Sequence, residues 1–208
     1  MKSLDTTLYF ITDSTSVPQE CFLPVVEAAC RGGATLIQLR EKNRSTREYI
    51  ELATATHKIT RRYNIPLIID DRVDVALAVE AEGVHVGQTD MPVKIARQLM
   101  GEDKIIGATT KTVPQALEAY EQGADYLGVG AIYPTTTKVV TILTSVDTLK
   151  EIVNAVPIKV NAIGGLNKNN IDVLKGSGIA GICAVSAIMK SADPESATRE
   201  LKEAFLGL

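Results

Sequence analysis

A chain of 208 residues, 45% hydrophobic and 23% charged, can bury one sizeable core and is short for two domains. Its formal charge of −3 argues against the basic stripe that nucleic acid or an anionic membrane surface requires, though a small polyanion needs only a few local cations. No apolar run reaches the roughly 18 residues of a membrane span, and Met1 to Thr7 is polar, without the basic-then-apolar layout of a signal peptide.

Leu8-Tyr9-Phe10-Ile11-Thr12 is an apolar strand ending at Asp13, and Pro24 to Arg31 is a helix closed by Gly32-Gly33. Ala34 to Arg40 is the second strand. Ser45 with Glu48 three residues on is a capping-box pattern that starts a helix running to about Tyr63. Pro66 to Asp70 is a strand, Val73 to Ala81 a helix and Gly83 to Gly87 a strand. Pro92 to Met100 is a helix, Lys104 to Ala108 a strand, and Val113 to Gln122 a helix ending at Gly123.

Ala124 to Val129 is the sixth strand, and its continuation is the most informative stretch of the chain. It breaks at Pro134 into Thr135, Thr136, Thr137 and Lys138. Hydroxyl donors with one cation at a strand's C-terminal end suit an anionic ligand such as a phosphate or carboxylate; the plainer alternative is a solvated polar loop. Val146 to Val156 is a helix, Pro157 to Ile163 a strand ending in Gly164-Gly165, Lys168 to Lys175 a helix and Gly181 to Val185 the eighth strand. Ala197, Leu201, Ala204, Phe205 and Leu208 mark the apolar stripe of a last helix.

Eight strands thus alternate with eight helices, and the strands are mostly apolar, as in a parallel sheet buried on both faces. The fold class expected is α/β, a single (β/α)8 TIM barrel over residues 1–208. A doubly wound open sheet ranks second, because no GxGxxG turn follows the first strand.

In such a barrel the C-terminal ends of the strands surround the mouth where chemistry is done. Those ends carry Asp13; Gln38, Arg40 and Lys42; Asp70 and Asp71; Gln88 and Asp90; Thr109; Thr135, Thr137 and Lys138; Gly164 and Gly165; and Ser186. The N-terminal ends show no comparable clustering. Asp70 and Asp90 end adjacent strands and offer hard oxygens suited to Mg²⁺ holding a diphosphate, although either could cap the next helix; Asp71 is expected to cap or orient. Arg40, Lys42 and Lys138 supply the opposing positive charge. Gly164-Gly165 and Ser186 match a barrel phosphate site, with backbone N–H groups and a helix start facing the anion. His85, between Val84 and Val86, reads as a hydrogen-bonded barrel residue rather than a catalyst.

A metal-diphosphate subsite beside a monophosphate subsite suggests the joining of two phosphorylated fragments, with Mg²⁺ and lysine assisting diphosphate loss from an activated carbon. No Cys-His, Ser-His or Schiff-base lysine arrangement argues for covalent catalysis. Cys21, Cys30 and Cys183 form no CxxC pair and fit reduced thiols in the cytoplasm, and with only His57 and His85 a histidine metal site is not expected.

Gln38-Leu39-Arg40-Glu41-Lys42, Asp70-Asp71, His85-Val86-Gly87-Gln88-Thr89-Asp90, Gly128-Val129-Gly130 with Pro134-Thr135-Thr136-Thr137-Lys138, Ile163-Gly164-Gly165 and Val185-Ser186-Ala187-Ile188 together resemble thiamine-phosphate synthase. The resemblance runs over nearly the whole chain. It implies a transferase that condenses hydroxymethylpyrimidine diphosphate with a thiazole phosphate, the carboxylated tautomer in many members, to give thiamine phosphate and diphosphate. It implies a pyrimidine site at Gln38, Arg40, Lys42, Thr109 and Lys138, magnesium at Asp70 and Asp90, and thiazole phosphate against Thr135, Thr137, Gly165, Val185 and Ser186. Leu39, Glu41, Ile69 and Thr136 are counted with these substrate-binding positions, and Lys138, Arg40, Lys42 and Thr109 are expected to be catalytic. The partners implied are the two small substrates, with no nucleic acid and no membrane; a homo-oligomer is neither required nor ruled out.

Three departures stand out. Ile69 occupies a position where the family usually has an Asn that contacts the pyrimidine, and the expectation is that Ile69 faces the mouth and weakens that substrate. Thr109 stands where Ser is usual and keeps the hydroxyl. Val139-Val140 follow Lys138, where the family commonly has an Asp. A thiazole tautomerase shares the barrel but lacks the paired aspartates and the Thr-x-Thr-Lys run, so an isomerase ranks second; a degenerate binder of thiazole phosphate is the non-enzymatic alternative.

Overall fold

Strict alternation of side chains along each strand separates two cores. Leu8, Phe10, Ile37, Leu39, Leu67, Ile69, Val84 and Val86 pack outward against helices. Tyr9, Ile11, Leu36, Ile68, Ile105, Tyr126 and Cys183 pack inward against one another. A sheet apolar on both faces must be covered on both, and closing it on itself does so with one helix layer.

The computed structural model describes residues 4–135 and 143–208. Among them, eight parallel strands close a barrel in sequence order: β1 (Leu8–Ile11), β2 (Leu36–Leu39), β3 (Leu67–Asp70), β4 (Gly83–Val86), β5 (Ile105–Thr110), β6 (Tyr126–Gly130), β7 (Lys159–Ile163) and β8 (Gly181–Ala184). The ring closes where Tyr9 of β1 pairs with Cys183 of β8. The helices are α1 (Gln19–Arg31), α2 (Thr46–Arg62), α3 (Val73–Ala78), α4 (Val93–Met100), α5 (Val113–Glu121), α6 (Val146–Ala155), α7 (Ser186–Met189) and α8 (Pro194–Leu206). None of them is long and apolar enough to cross a membrane. The (β/α)8 barrel read from the sequence is the fold.

The capping box is complete: Ser45 Oγ accepts from the Glu48 N–H, and Glu48 reaches back to the Ser45 N–H. Elsewhere local chemistry moves the boundaries. α1 begins at Gln19, five residues before the Pro24 expected to start it. Pro24 forfeits one helical hydrogen bond, and burial of Phe22, Val25, Val26 and Ala29 along the same helix outweighs that loss. α3 stops at Ala78 rather than Ala81, since Glu80 takes a left-handed φ of 55°.

The helix expected over Lys168 to Lys175 is only a 3-10 segment, Ile171–Leu174. Asparagine side chains compete with the helix here. Asn170 Oδ1 accepts from the Asn167 N–H, Asn167 Oδ1 accepts from the Asn169 N–H, and Asn170 Nδ2 donates to the Gly165 carbonyl. β5 runs two residues past the expected Ala108, pairing Thr110 with Val129, so Thr109 is a strand residue.

Candidate active site

A cavity of about 340 Å³ opens at the C-terminal ends of the strands. β2 contributes Gln38, with Arg40 and Lys42 just beyond it; β3 contributes Asp70 and then Asp71; the loop after β4 contributes Gln88, Thr89 and Asp90. Across the mouth lie Thr109, Lys111, Thr135, Gly164, Gly165, Val185 and Ser186. Tyr49 of α2 pins the first side, donating its hydroxyl to the Leu39 carbonyl at 2.7 Å, with the Asp70 carbonyl 3.3 Å away. The strand ends that carry Arg40 and Asp70 are thereby held together.

Three carboxylates crowd this side. Lys42 Nζ lies 2.7 Å from Asp70 Oδ2 and bonds Asp71, while Arg40 Nε is 3.8 Å from Asp70. Burial raises the Asp70 pKa, and the two cations only partly offset it. Burial also raises Asp90; the Gly87 N–H, donating at 2.8 Å, opposes this, and a hydrogen bond with Asp71 and its charge reinforce it. Burial pulls Lys42 down, but Asp70 and Asp71 more than compensate and hold its ammonium above the ordinary value. Anionic oxygens in excess of their cations suit a hard divalent ion.

Among the described residues no group of three His, Cys, Asp or Glu side chains forms a ready metal cage. Mg²⁺ does not need one. It keeps several waters and binds through one or two carboxylates together with substrate phosphates. Asp90 and Asp71 meet at the cavity rim, and Asp70 Oδ2 is buried without a hydrogen bond, its ion pair with Lys42 aside. This donor set fits the ion.

The opposite side is built by backbone. Gly164 and Gly165 have φ of 107° and 64°, a conformation that side chains rarely adopt. A Cβ on Gly165 would lie 2.7 Å from Tyr133 Cβ and 2.9 Å from the Pro134 carbonyl oxygen. The turn therefore brings main chain directly to the cavity wall beside Ser186. The helix that starts at Ser186 is one turn long, so any anion there relies on local N–H groups and the hydroxyl rather than on a macrodipole.

The floor is polar and buried. Gln38 Nε2 donates to Tyr9 Oη at 2.7 Å, and Tyr9 Oη and Tyr126 Oη are 2.7 Å apart. His85 Nδ1 lies 3.0 Å from Tyr126 Oη, and His85 Nε2 lies 2.9 Å from Thr109 Oγ1. Burial pushes both tyrosines well above the phenol range and His85 down to about 4, so all three are neutral.

The family profile described as thiamine monophosphate synthase matches residues 8–188. A thiamine-phosphate synthase of Clostridium tetani is 52% identical over 98% of each chain. Thiamine-phosphate synthase 2 of Streptococcus pneumoniae is 52% identical over 92% of this chain and 91% of its own. The chain belongs to the thiamine monophosphate synthase family. The solved structure of a thiamine phosphate pyrophosphorylase from Pyrococcus furiosus superposes with a TM-score of 0.88 at 41% identity, covering 98% of this chain and 97% of that one.

Of the positions that family resemblance assigned, Gln38, Arg40, Lys42, Asp70, Asp90, Thr109, Thr135, Gly165, Val185 and Ser186 share the one cavity. Thr136, Thr137 and Lys138 lie outside the described residues, as do Val139 and Val140. Three expected contacts face elsewhere. Leu39 and Ile69 point into the helix-facing core, both fully buried, because alternation turns every second residue of β2 and β3 away from the mouth. The mouth-facing residue of β3 is Asp70, so Ile69 withholds nothing from a ligand. Glu41 accepts from Ser14 Oγ and Arg44 Nε and does not line the cavity.

Two roles also change. Asp13 caps the 3-10 turn Ser14–Ser16 instead of joining the mouth. Asp71 was expected to cap or orient; α3 has no side-chain cap, and Asp71 sits in the carboxylate cluster. Sequence reasoning missed Lys111, whose Nζ donates to the Gly130 carbonyl at 2.8 Å and which lines the cavity. The signal lay in β5, whose two extra residues carry the chain on to Lys111 at the rim. Tyr9 and Tyr126 were also missed as site residues; their inward period in β1 and β6 could have revealed them.

Proposed function

We propose that this chain condenses a hydroxymethylpyrimidine diphosphate with a thiazole phosphate, releasing diphosphate and thiamine phosphate. The observation that carries the reading is the pairing of opposite walls in one cavity: a carboxylate cluster with Lys42 and Arg40 on one side, and the Gly164-Gly165 turn with Ser186 on the other. A diphosphate carried by a cation suits the first wall, and a monophosphate met by backbone N–H groups suits the second.

The chemistry is a substitution at the pyrimidine's exocyclic carbon. The bond to the thiazole ring forms there as the bond to diphosphate breaks, and the electron pair leaves with diphosphate. When bound, Mg²⁺ would be held by Asp90 and Asp71 together with Asp70 and would supply charge compensation for that leaving group. Arg40 and Lys42 steer and neutralise the same oxygens. Thr109 and Gln38, on the cavity floor, orient the heterocycle. Thr135, Gly165 and Ser186 hold the thiazole phosphate, and the family resemblance counts Lys138 with the pyrimidine site. The reaction belongs to the cytoplasm, where Cys21, Cys30 and Cys183 stay as free thiols.

Mixing both substrates with Mg²⁺ and following thiamine phosphate and diphosphate tests the reading. Formation of both products that ceases in excess chelator is the expected result. Conversion of the thiazole substrate alone would establish the isomerase, and tight thiazole-phosphate binding without turnover would establish the degenerate binder.

A further inference from the structure

We propose that Gln38, Tyr9, Tyr126 and His85 form a hydrogen-bond relay of fixed direction that keeps the Thr109 hydroxyl proton free of the histidine, so that Thr109 can donate to the substrate. The proposal deepens the reading above and rests on it for the identity of the heteroaromatic substrate. It makes Tyr9, Tyr126 and His85 positioning residues.

The direction follows by counting protons. The Gln38 amide nitrogen can only donate, and it donates to Tyr9 Oη at 2.7 Å. Tyr9 has one proton and gives it to Tyr126 Oη, 2.7 Å away. Tyr126, already accepting, gives its own proton to His85 Nδ1 at 3.0 Å. Nδ1 is then an acceptor, so the single proton of the neutral ring sits on Nε2 and is donated to Thr109 Oγ1 at 2.9 Å. Thr109 Oγ1 lies on the cavity wall with one proton left to give. A ring nitrogen or a carbonyl oxygen satisfies it; an N–H at the same point finds only the one remaining lone pair and leaves the hydroxyl proton without a partner on the ligand.

The packing is arranged around this relay. Tyr9 and Tyr126 are 1% and 0% exposed, so no solvent intrudes to reverse a bond. Gly107 of β5 lies where the relay turns from β6 to β4: a Cβ there would be 2.3 Å from Tyr126 Oη and 2.5 Å from His85 Nδ1. The relay joins β2, β1, β6, β4 and β5, and it is the same chain of contacts that would run backwards if the Gln38 amide were turned, leaving Thr109 an acceptor.

Imidazole nitrogen shifts of the ¹⁵N-labelled protein without substrate decide the direction. The chain has two histidines, and His57→Gln assigns the spectrum. Protonated Nε2 with an acceptor Nδ1 at His85 is expected; a protonated Nδ1 overturns the proposal. Tyr126→Phe should populate the other tautomer and raise KM for the pyrimidine diphosphate about tenfold, with kcat changed far less. Thr109→Val should produce the same rise, and the double variant should be no worse than either alone. Additive losses would overturn the coupling. If Tyr126→Phe folds poorly, Tyr9→Phe, one link further back, carries the same test. Turnover of the unaltered protein is measured first, so failure of the condensation itself would show there, while the shifts of the free protein still decide the relay.

Discussion

The Lys42 ammonium lies 2.7 Å from the Asp70 carboxylate and bonds Asp71 as well, one cation shared by two acids. With Asp90 beside Asp71, the cluster holds more negative charge than its neighbours neutralise.

The sign of the pH dependence follows. Asp70 and Asp90 both have folded pKa values above their ordinary 3.8, so the folded protein binds more protons. Their contribution to stability is complete below 3.8 and is lost as pH rises through the folded values. Asp13 and Asp193 are shifted the other way, so the difference between variants isolates the site. In chelator, Asp70→Asn and Asp90→Asn should melt above the unaltered protein at pH 7, with the gap closing toward pH 4. Mg²⁺ at a hundredfold its Kd should add about 2.7 kcal/mol to the unaltered protein and little to Asp90→Asn. Melting curves indifferent to Mg²⁺ would remove the metal from this site.

Ile69 is fully buried in the layer between β3 and the helices. Ile69→Asn should lose packing and bury an unpaired amide, costing about 3 kcal/mol or more by denaturant titration. KM for the pyrimidine diphosphate should stay unchanged in the folded fraction. A lower KM with full stability would place residue 69 at the mouth after all.

Gly165→Val should raise the Kd for thiazole phosphate at least tenfold by calorimetry, because its Cβ meets Tyr133 and Pro134 and its φ is left-handed. The backbone strain adds about 1–2 kcal/mol to the cost of folding. Unchanged affinity in a folded variant would move the phosphate elsewhere.

Arg97 ties the opposite end of the barrel. Its guanidinium donates to the Gly101, Lys104 and Gly123 carbonyls and to Asp125, whose carboxylate also accepts from the Ile106 N–H. Arg97→Met should cost about 2–4 kcal/mol in chemical denaturation while leaving both KM values alone. A change in KM without loss of stability would contradict a purely structural role.

The barrel was legible because strand periodicity and turn residues speak directly to topology. Ser45 with Glu48 announced α2 for the same reason: the capping chemistry is contained in four residues. Which strand ends line the cavity was legible, and the aim of neighbouring side chains was not. Ile69 and Asp70 differ by one residue, and only the closed ring shows which of them looks inward. Glu41 looked like its neighbours Arg40 and Lys42 until Ser14 and Arg44, near in space, claimed its carboxylate. The asparagines at 167 and 170 were visible, but their local bonds replaced the expected helix with a turn.

The barrel's seam lies between the first strand and the last, Tyr9 against Cys183. Residues needed by one substrate cavity therefore emerge at both ends of synthesis, Tyr9 early and Ser186 near the finish. A nascent chain that stops before β8 presents bare edges on β1 and β7, which invite pairing with other chains. Premature termination should consequently yield insoluble fragments instead of a weakened enzyme, because the wall that carries Ser186 exists only once the final strand has docked.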